Sequence, residues 1–191
     1  MKRIFLFLTA SLLLLQMNTL QAQDEAAMMK AWQDFMTPGE MHKLISSWDG
    51  TWSAEVTTFM DPSGPQKSSA TVENKMVLNG LYQMGHYIGT MMGQPFEGYG
   101  TLAYDNGKKM FVNTWIDNMG SGVVVMTGKW NAGTKTLELK GTQTDPMTGK
   151  DAAIREEVKV VDANTQKMTM WGAGMDGKEM KFMEISMKRK M

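Results

Sequence analysis

Cysteine is absent from all 191 residues. That one absence removes disulfides, thiolate metal centres, a cysteine nucleophile and a lipid anchor on an N-terminal cysteine. Histidine occurs only at His42 and His86, so a three-histidine zinc centre cannot form and histidine-dependent hydrolysis has little to draw on. Neither sign of charge is in excess, with 20 Lys and Arg against 20 Asp and Glu. Such a balance gives no electrostatic footprint for nucleic acid or for an anionic membrane. No G-x-S-x-G, H-E-x-x-H, Walker loop or dinucleotide fingerprint occurs, and Glu97, Asp117 and Glu184 read as lone carboxylates. These absences argue against an enzyme and against a bound cofactor or metal.

The extended apolar run at residues 4–15 is short. Its twelve positions, interrupted by Thr9 and Ser11, span about 18 Å as a helix, less than the roughly 30 Å hydrocarbon core of a bilayer. Lys2 and Arg3 precede it and Leu20-Gln21-Ala22 comes after it, the arrangement of a secretory signal peptide cut after Ala22 or Gln23. Removal of residues 1–23 leaves 168 residues carrying 18 basic and 20 acidic side chains, enough for one domain that buries roughly 70% of its unfolded surface. A periplasmic or secreted protein without a membrane anchor is expected.

What is present begins with helix. Residues 24–36 place Met28, Met29, Trp32, Phe35 and Met36 on one side at helical spacing. Thr37-Pro38-Gly39-Glu40 then restarts the chain, with Thr37 as cap, Pro38 at the first helical position and Glu40 completing a capping box, for a second short helix over 38–47. Residues 24–47 thus form a helical segment suited to covering one end of a β-domain.

From residue 48 the chain is β. Segments rich in β-branched, aromatic and Met residues recur near 51–59, 70–78, 81–90, 96–104, 109–117, 122–130, 135–141, 152–161, 167–174 and 179–189, separated by turn residues. Asn79-Gly80, Asn106-Gly107 and Asp176-Gly177 are expected as tight type I′ turns, and Asp61–Pro65, Gly93-Gln94-Pro95 and Asp145–Gly149 as looser ones. About ten strands joined by short links predict an all-β fold, a closed antiparallel up-and-down barrel that removes its own edges. Alternation assigns Met183, Ile185, Met187 and Arg189 to the interior, and Tyr82, Met84, His86 and Ile88 to the interior of the third strand. The phase of Phe111-Val112-Asn113-Thr114-Trp115 is open.

Several short pieces together resemble one family. His42-x-Leu44, Gly50-x-Trp52, Leu78-Asn79-Gly80, Pro95-Phe96-Glu97-Gly98-x-Gly100, Tyr104-Asp105, Trp115-x-Asp117, Arg155 and Glu184-Ile185 with Arg189 look like the bacterial family called domain of unknown function 1579, over about residues 38–190. The resemblance implies a calycin-like barrel, often exported, with no established activity. Gly50-x-Trp52 with Arg189 is similar to the lipocalin-like closure in which an Arg of the last strand covers a Trp at the barrel base. Resembling sequences place Tyr two residues before that Arg, where this chain has Met187.

The leading expectation is a non-catalytic barrel holding a small apolar or amphipathic ligand against Tyr82, Met84, His86, Met183, Met187 and Arg189, with an anionic end drawn to Arg189. The alternative is a filled barrel that docks a protein partner. Lesser alternatives are haem on His86, copper on Met pairs such as Met28-Met29, Met91-Met92 and Met168-x-Met170, and an uncharacterised enzyme. The 22 methionines read mainly as adaptable core filler. The signal pattern predicts that intact-mass analysis of the natural product finds an N-terminus at Gln23 or Asp24; retention of residues 1–22 would refute it.

Overall fold

The computed structural model describes residues 24–174 and 177–190. Helix α1 covers residues 24–36 and belongs to a unit separate from residues 38–191. Its residues are exposed along its length, with Lys30 paired to Asp34 and Trp32 edge-on to Phe35. Among the described residues no helix is long and apolar enough to cross a membrane.

In the larger unit, helix α2 (Glu40–Ser46) leads into ten strands: β1 (Gly50–Thr58), β2 (Gln66–Val77), β3 (Tyr82–Met91), β4 (Gln94–Asp105), β5 (Met110–Asp117), β6 (Val124–Asn131), β7 (Thr136–Thr144), β8 (Asp151–Asp162), β9 (Thr165–Ala173) and β10 (Glu179–Arg189). Each strand pairs antiparallel with its sequence neighbours, and β1 pairs with β10 to close the barrel. The expected ten-stranded meander is therefore the fold. Two strands run longer than the alternation suggests: β2 begins at Gln66 and β7 continues to Thr144. There the ladder partners on β1 and β8 hold backbone that composition alone reads as loop.

The turns redistribute the positive φ angles. Met92 (φ 52°) and Gly93 (φ 77°) form the two-residue turn between β3 and β4, the geometry expected at Asn79-Gly80. The β2–β3 link instead runs through a 3₁₀ turn, Leu78–Gly80, in which three successive residues have positive φ. After β4, the Asp105 carboxylate accepts from the Gly107 and Lys108 N–H groups, and the left-handed residue is Lys109 (φ 54°) rather than Gly107. Asn131 and Lys135 repeat that arrangement after β6, where Asn131 takes the Gly133 and Thr134 N–H groups. An Asx side chain that satisfies two turn amides favours a type I turn and then one left-handed residue. Gly177 does have positive φ (75°), while Asp176 lies outside the described residues.

Helix α2 closes one end of the barrel. It starts at Gly39, whose N–H donates to His42 Nδ1 at 3.0 Å, so the imidazole performs the capping expected of Glu40. Thr37 donates its hydroxyl back to the Gln33 carbonyl. Ile45 (0% exposed) and Trp48 (4%) then drop into a cluster with Phe111, Met126, Leu137, Leu139, Ile154 and Val158. A second cluster joins Trp52, Ala54, Val56 and Val72 to Ile185 and Met187 across the closing seam.

The closure expected from Gly50-x-Trp52 and Arg189 is present. The Arg189 guanidinium carbon lies 4.2 Å from the Trp52 ring centre, and the indole N–H donates to the Trp48 carbonyl at 3.0 Å. Arg189 also donates to the carbonyls of Ser47, Asp49 and Ala163. Gly50 sits at φ +119°, and a Cβ there would come within 2.8 Å of Arg189 Nη1, so only glycine suits both the backbone and the neighbour. Trp52→Ala should lower stability by about 3–5 kcal/mol, the usual cost of deleting a buried Trp side chain. An unchanged urea midpoint would show that the seam does not rest on this residue.

Candidate functional site

At the end opposite α2 the barrel is not filled. A hollow of about 240 Å³ runs down its interior, lined mostly by apolar side chains including Val56, Phe96, Met168, Met170, Met183 and Met187. A buried apolar cavity of roughly 150 Å³ accepts benzene, so this one has room for on the order of ten non-hydrogen atoms. A long fatty acid would protrude. The links at this end expose Met60, Met92, Met119 and Met147, each between 49% and 93%. Methionine therefore serves as rim as well as filler.

Two aromatic residues shape the wall. Trp115 lies against the β4 backbone at Gly98, where a Cβ would collide with the six-membered ring of the indole. Its Nε1–H donates to Asp117 at 2.6 Å, and Asp117 also takes the Met119 N–H. The motifs Gly98-x-Gly100 and Trp115-x-Asp117 thus form one device: glycines open a slot, the indole fills it, and the carboxylate two residues on fixes its tilt. Tyr87 packs edge-on to Trp115 with ring centres 4.9 Å apart.

Among the described residues, the charged side chains lining the hollow are Asp117 and Glu156, with no Lys, Arg or His. Glu156 is only 6% exposed and makes no hydrogen bond or ion pair among the described residues. Burial alone pushes its pKa from 4.5 up to about 7. Tyr87 is raised as well, chiefly by burial and further by the charge of Glu156, which places the two within each other's field across the interior. Both sit near the middle of their strands, between the capped floor and the open rim.

The expected site residues divide. Met183 and Met187 line the hollow as the alternation required, and a register shift between Lys181 and Met183 brings Phe182 to the same wall. Arg189 does not line it: the guanidinium lies over Trp52 and is engaged by carbonyls, so it offers no seat for an anion. Tyr82 (39% exposed), Met84 (38%) and His86 lie on the outer face, a reversal of the expected phase. Residues directly opposite in a ladder share a face, and Val72, buried with Trp52, stands opposite Tyr87. The inward residues of β3 are therefore Gln83, Gly85 and Tyr87. Gln83 looks polar but donates to the Ile45 carbonyl and to Asp49 beneath α2, which makes its burial tolerable.

His86 consequently faces away from any interior haem. Its ring stacks on Tyr99 at 4.4 Å, and its Nε2 is 2.8 Å from Glu97, which also accepts from the Tyr99 hydroxyl. These hydrogen bonds hold the Glu97 pKa below its ordinary value, Tyr99 contributing more than His86. His42 is buried on the inner side of α2, with its pKa lowered by desolvation against a weaker opposing pull from the Tyr104 carbonyl. Of the Met pairs, Met91-Met92 is split, with Met91 lining the hollow and Met92 72% exposed, while Met28 and Met29 are both exposed and Met168 and Met170 both line the hollow. Among the described residues no three His, Asp or Glu side chains gather as a metal site. Tyr87 and Glu156 are the residues that sequence reasoning missed. The signal was Ile154-x-Glu156-x-Val158, an acid in the apolar phase of a strand.

A closed ten-stranded meander with a helical floor and a hollow above it defines a calycin-like barrel. The chain belongs to the family described as protein of unknown function, DUF1579, whose model matches residues 37–189. No curated protein matches it. Among solved structures, Rv2717c from M. tuberculosis is similar at 12% identity and a TM-score of 0.63, covering 81% of this chain and 100% of that one. The S-type phycobiliprotein lyase CPES from Guillardia theta is similar at 9% identity and a TM-score of 0.54, covering 79% and 93%. At these identities the likeness is one of fold.

Glu156 ties stability to pH. Its raised pKa means that the folded state holds the proton more tightly than the unfolded chain, so its contribution is intact below pH 4.5 and is lost as pH rises through about 7. The displacement corresponds to about 3 kcal/mol. His42 acts in the opposite direction, its contribution present above pH 6.5 and lost as pH falls. Glu156→Gln should therefore gain about 2–3 kcal/mol over the native protein at pH 8 relative to pH 4.5, measured by urea unfolding. An equal difference at both pH values would show that Glu156 is not a neutral buried acid.

Proposed function

We propose that this protein is an exported, non-catalytic barrel that binds one small, predominantly apolar molecule in its interior. The observation that carries the reading is the hollow itself, about 240 Å³ of unfilled space lined by thioether, aliphatic and aromatic groups in a barrel whose other end is packed tight. A void of that size in a core would cost several kcal/mol if it served nothing, because its lining forfeits dispersion contacts. Apolar walls with a few polar groups are the usual make-up of a ligand site. Exposed methionines at the rim suit entry of an apolar guest, since their flexible side chains adapt to varied shapes.

The non-catalytic part of the reading is supported by the wall chemistry. Among the described lining residues there is no nucleophile held by a base that a third group orients. Export is supported by the basic, apolar and small-residue pattern of residues 1–23, which lie outside the described residues.

Isothermal titration with 1-octanol, nine non-hydrogen atoms, should show one saturable site with a Kd of tens to hundreds of micromolar, about −5 to −6 kcal/mol. Met168→Trp, which fills the hollow, should abolish it without loss of fold. Native mass spectrometry of the protein from its own cells should show a reproducible added mass. Absence of both octanol binding and added mass would favour the filled, partner-docking barrel instead.

A further inference from the structure

Resting on that reading, the charge of the wall narrows the guest. We infer that the barrel selects a small amphiphile bearing a protonated amine, seated between the carboxylate of Glu156 and the hydroxyl of Tyr87. Glu156 is enclosed by Leu139, Ile154 and Val158 from its own and the neighbouring strand, and has no partner of its own. The Glu156 carboxyl opens onto the hollow rather than being sealed in the wall, and a carboxyl among apolar groups is retained where something in the cavity satisfies it. Among the described residues the wall supplies no countercharge, since it holds two acids and no base. Asp117 is already engaged by the Trp115 indole and the Met119 amide, which leaves Glu156 as the acid free to receive a guest.

The chemistry of the amine fits this wall better than the alternatives. An ammonium carries three donors and no acceptor, matching a carboxylate and a phenol oxygen that both accept. A charge-assisted N–H···O bond inside an apolar cavity is stronger than its neutral counterpart. A neutral alcohol would satisfy Glu156 only in part. A carboxylate guest would meet two acids and no cation.

The titratable groups facing the guest are Glu156, Asp117 and Tyr87. Since burial holds Glu156 partly protonated at neutrality, amine binding should strengthen as pH rises through about 7, when the acid ionises without cost to the amine charge.

The test is titration calorimetry of the full chain at pH 8 with octylamine, 1-octanol and octanoate, which share a chain and differ in head group. Octylamine should bind at least tenfold more tightly than octanol, and octanoate at least tenfold more weakly. Glu156→Gln should remove the preference for octylamine over octanol, with the fold of the variant checked by its far-UV circular dichroism and a cooperative urea transition. Tyr87→Phe should weaken octylamine severalfold and octanol less. Equal affinities for amine and alcohol, octanoate as the tightest guest, or an amine preference that survives Glu156→Gln would each overturn the inference and leave the binding barrel standing. If none of the three binds, the cavity reading falls with it.

Discussion

The barrel depends on the seam where its first strand meets its last. A ten-stranded sheet has no edges only if β1 finds β10, and that is the most non-local strand pairing among the described residues. Trp52 and Arg189 hold it. The indole supplies a large buried surface at the start of β1, and the guanidinium from the end of β10 stacks over it while donating to carbonyls of the loop after α2 and of the β8–β9 turn. One side chain thereby joins the helical floor, the seam and a neighbouring turn, and the positive φ of Gly50 lets the guanidinium in. This use of Arg189 also sets the charge of the interior. The cation committed to closure is unavailable to a ligand, and the wall is left acidic.

The two ends of the barrel differ because of where the large side chains are spent. Ile45 and Trp48 arrive from α2 and are met by Phe111, Leu137 and Leu139, so the floor is solid. Higher up, several inward positions are small or flexible: Ala54, Ala70, Gly85, Gly98 and Gly100 on one side, methionines on the other. Small residues facing methionines leave volume that neither fills. The hollow is thus a consequence of the inward residue sizes, and Trp115, tucked into the glycine slot of β4, marks one side of it.

The polar groups of the interior fall into two kinds. Gln83 and Asp117 have protein partners and fix structure: one hangs α2 from β3, the other holds an indole. Glu156 and Tyr87 face the hollow with no hydrogen-bonding partner among the described residues, alongside the amides of Asn113, Gln143 and Gln166. The outer cluster of His86, Tyr99 and Glu97 is satisfied within itself by stacking and two hydrogen bonds.

The ten strands, their order and the helical floor were legible in the amino-acid sequence, because β-branched and aromatic segments cut by turn residues leave a meander little choice of topology. So was the Trp52 and Arg189 closure, through the family pattern, and the inward phase of Met183 and Met187, through clean alternation. The phase of β3 was not legible. Its more apolar face, Tyr82, Met84, His86 and Ile88, points outward because the ladder with β2 sets the phase and because Gln83, Gly85 and Tyr87 find partners or space inside that hydropathy cannot express. Turn type likewise waited on the structure, since an Asx carboxylate at Asp105 and an amide at Asn131 move the left-handed residue onto a lysine. Above all, the site was decided by tertiary structure. Nothing local tells whether Arg189 covers a tryptophan or faces a ligand, or whether Glu156 meets a cation across the barrel; only the closed sheet determines which groups confront one another in the space they enclose.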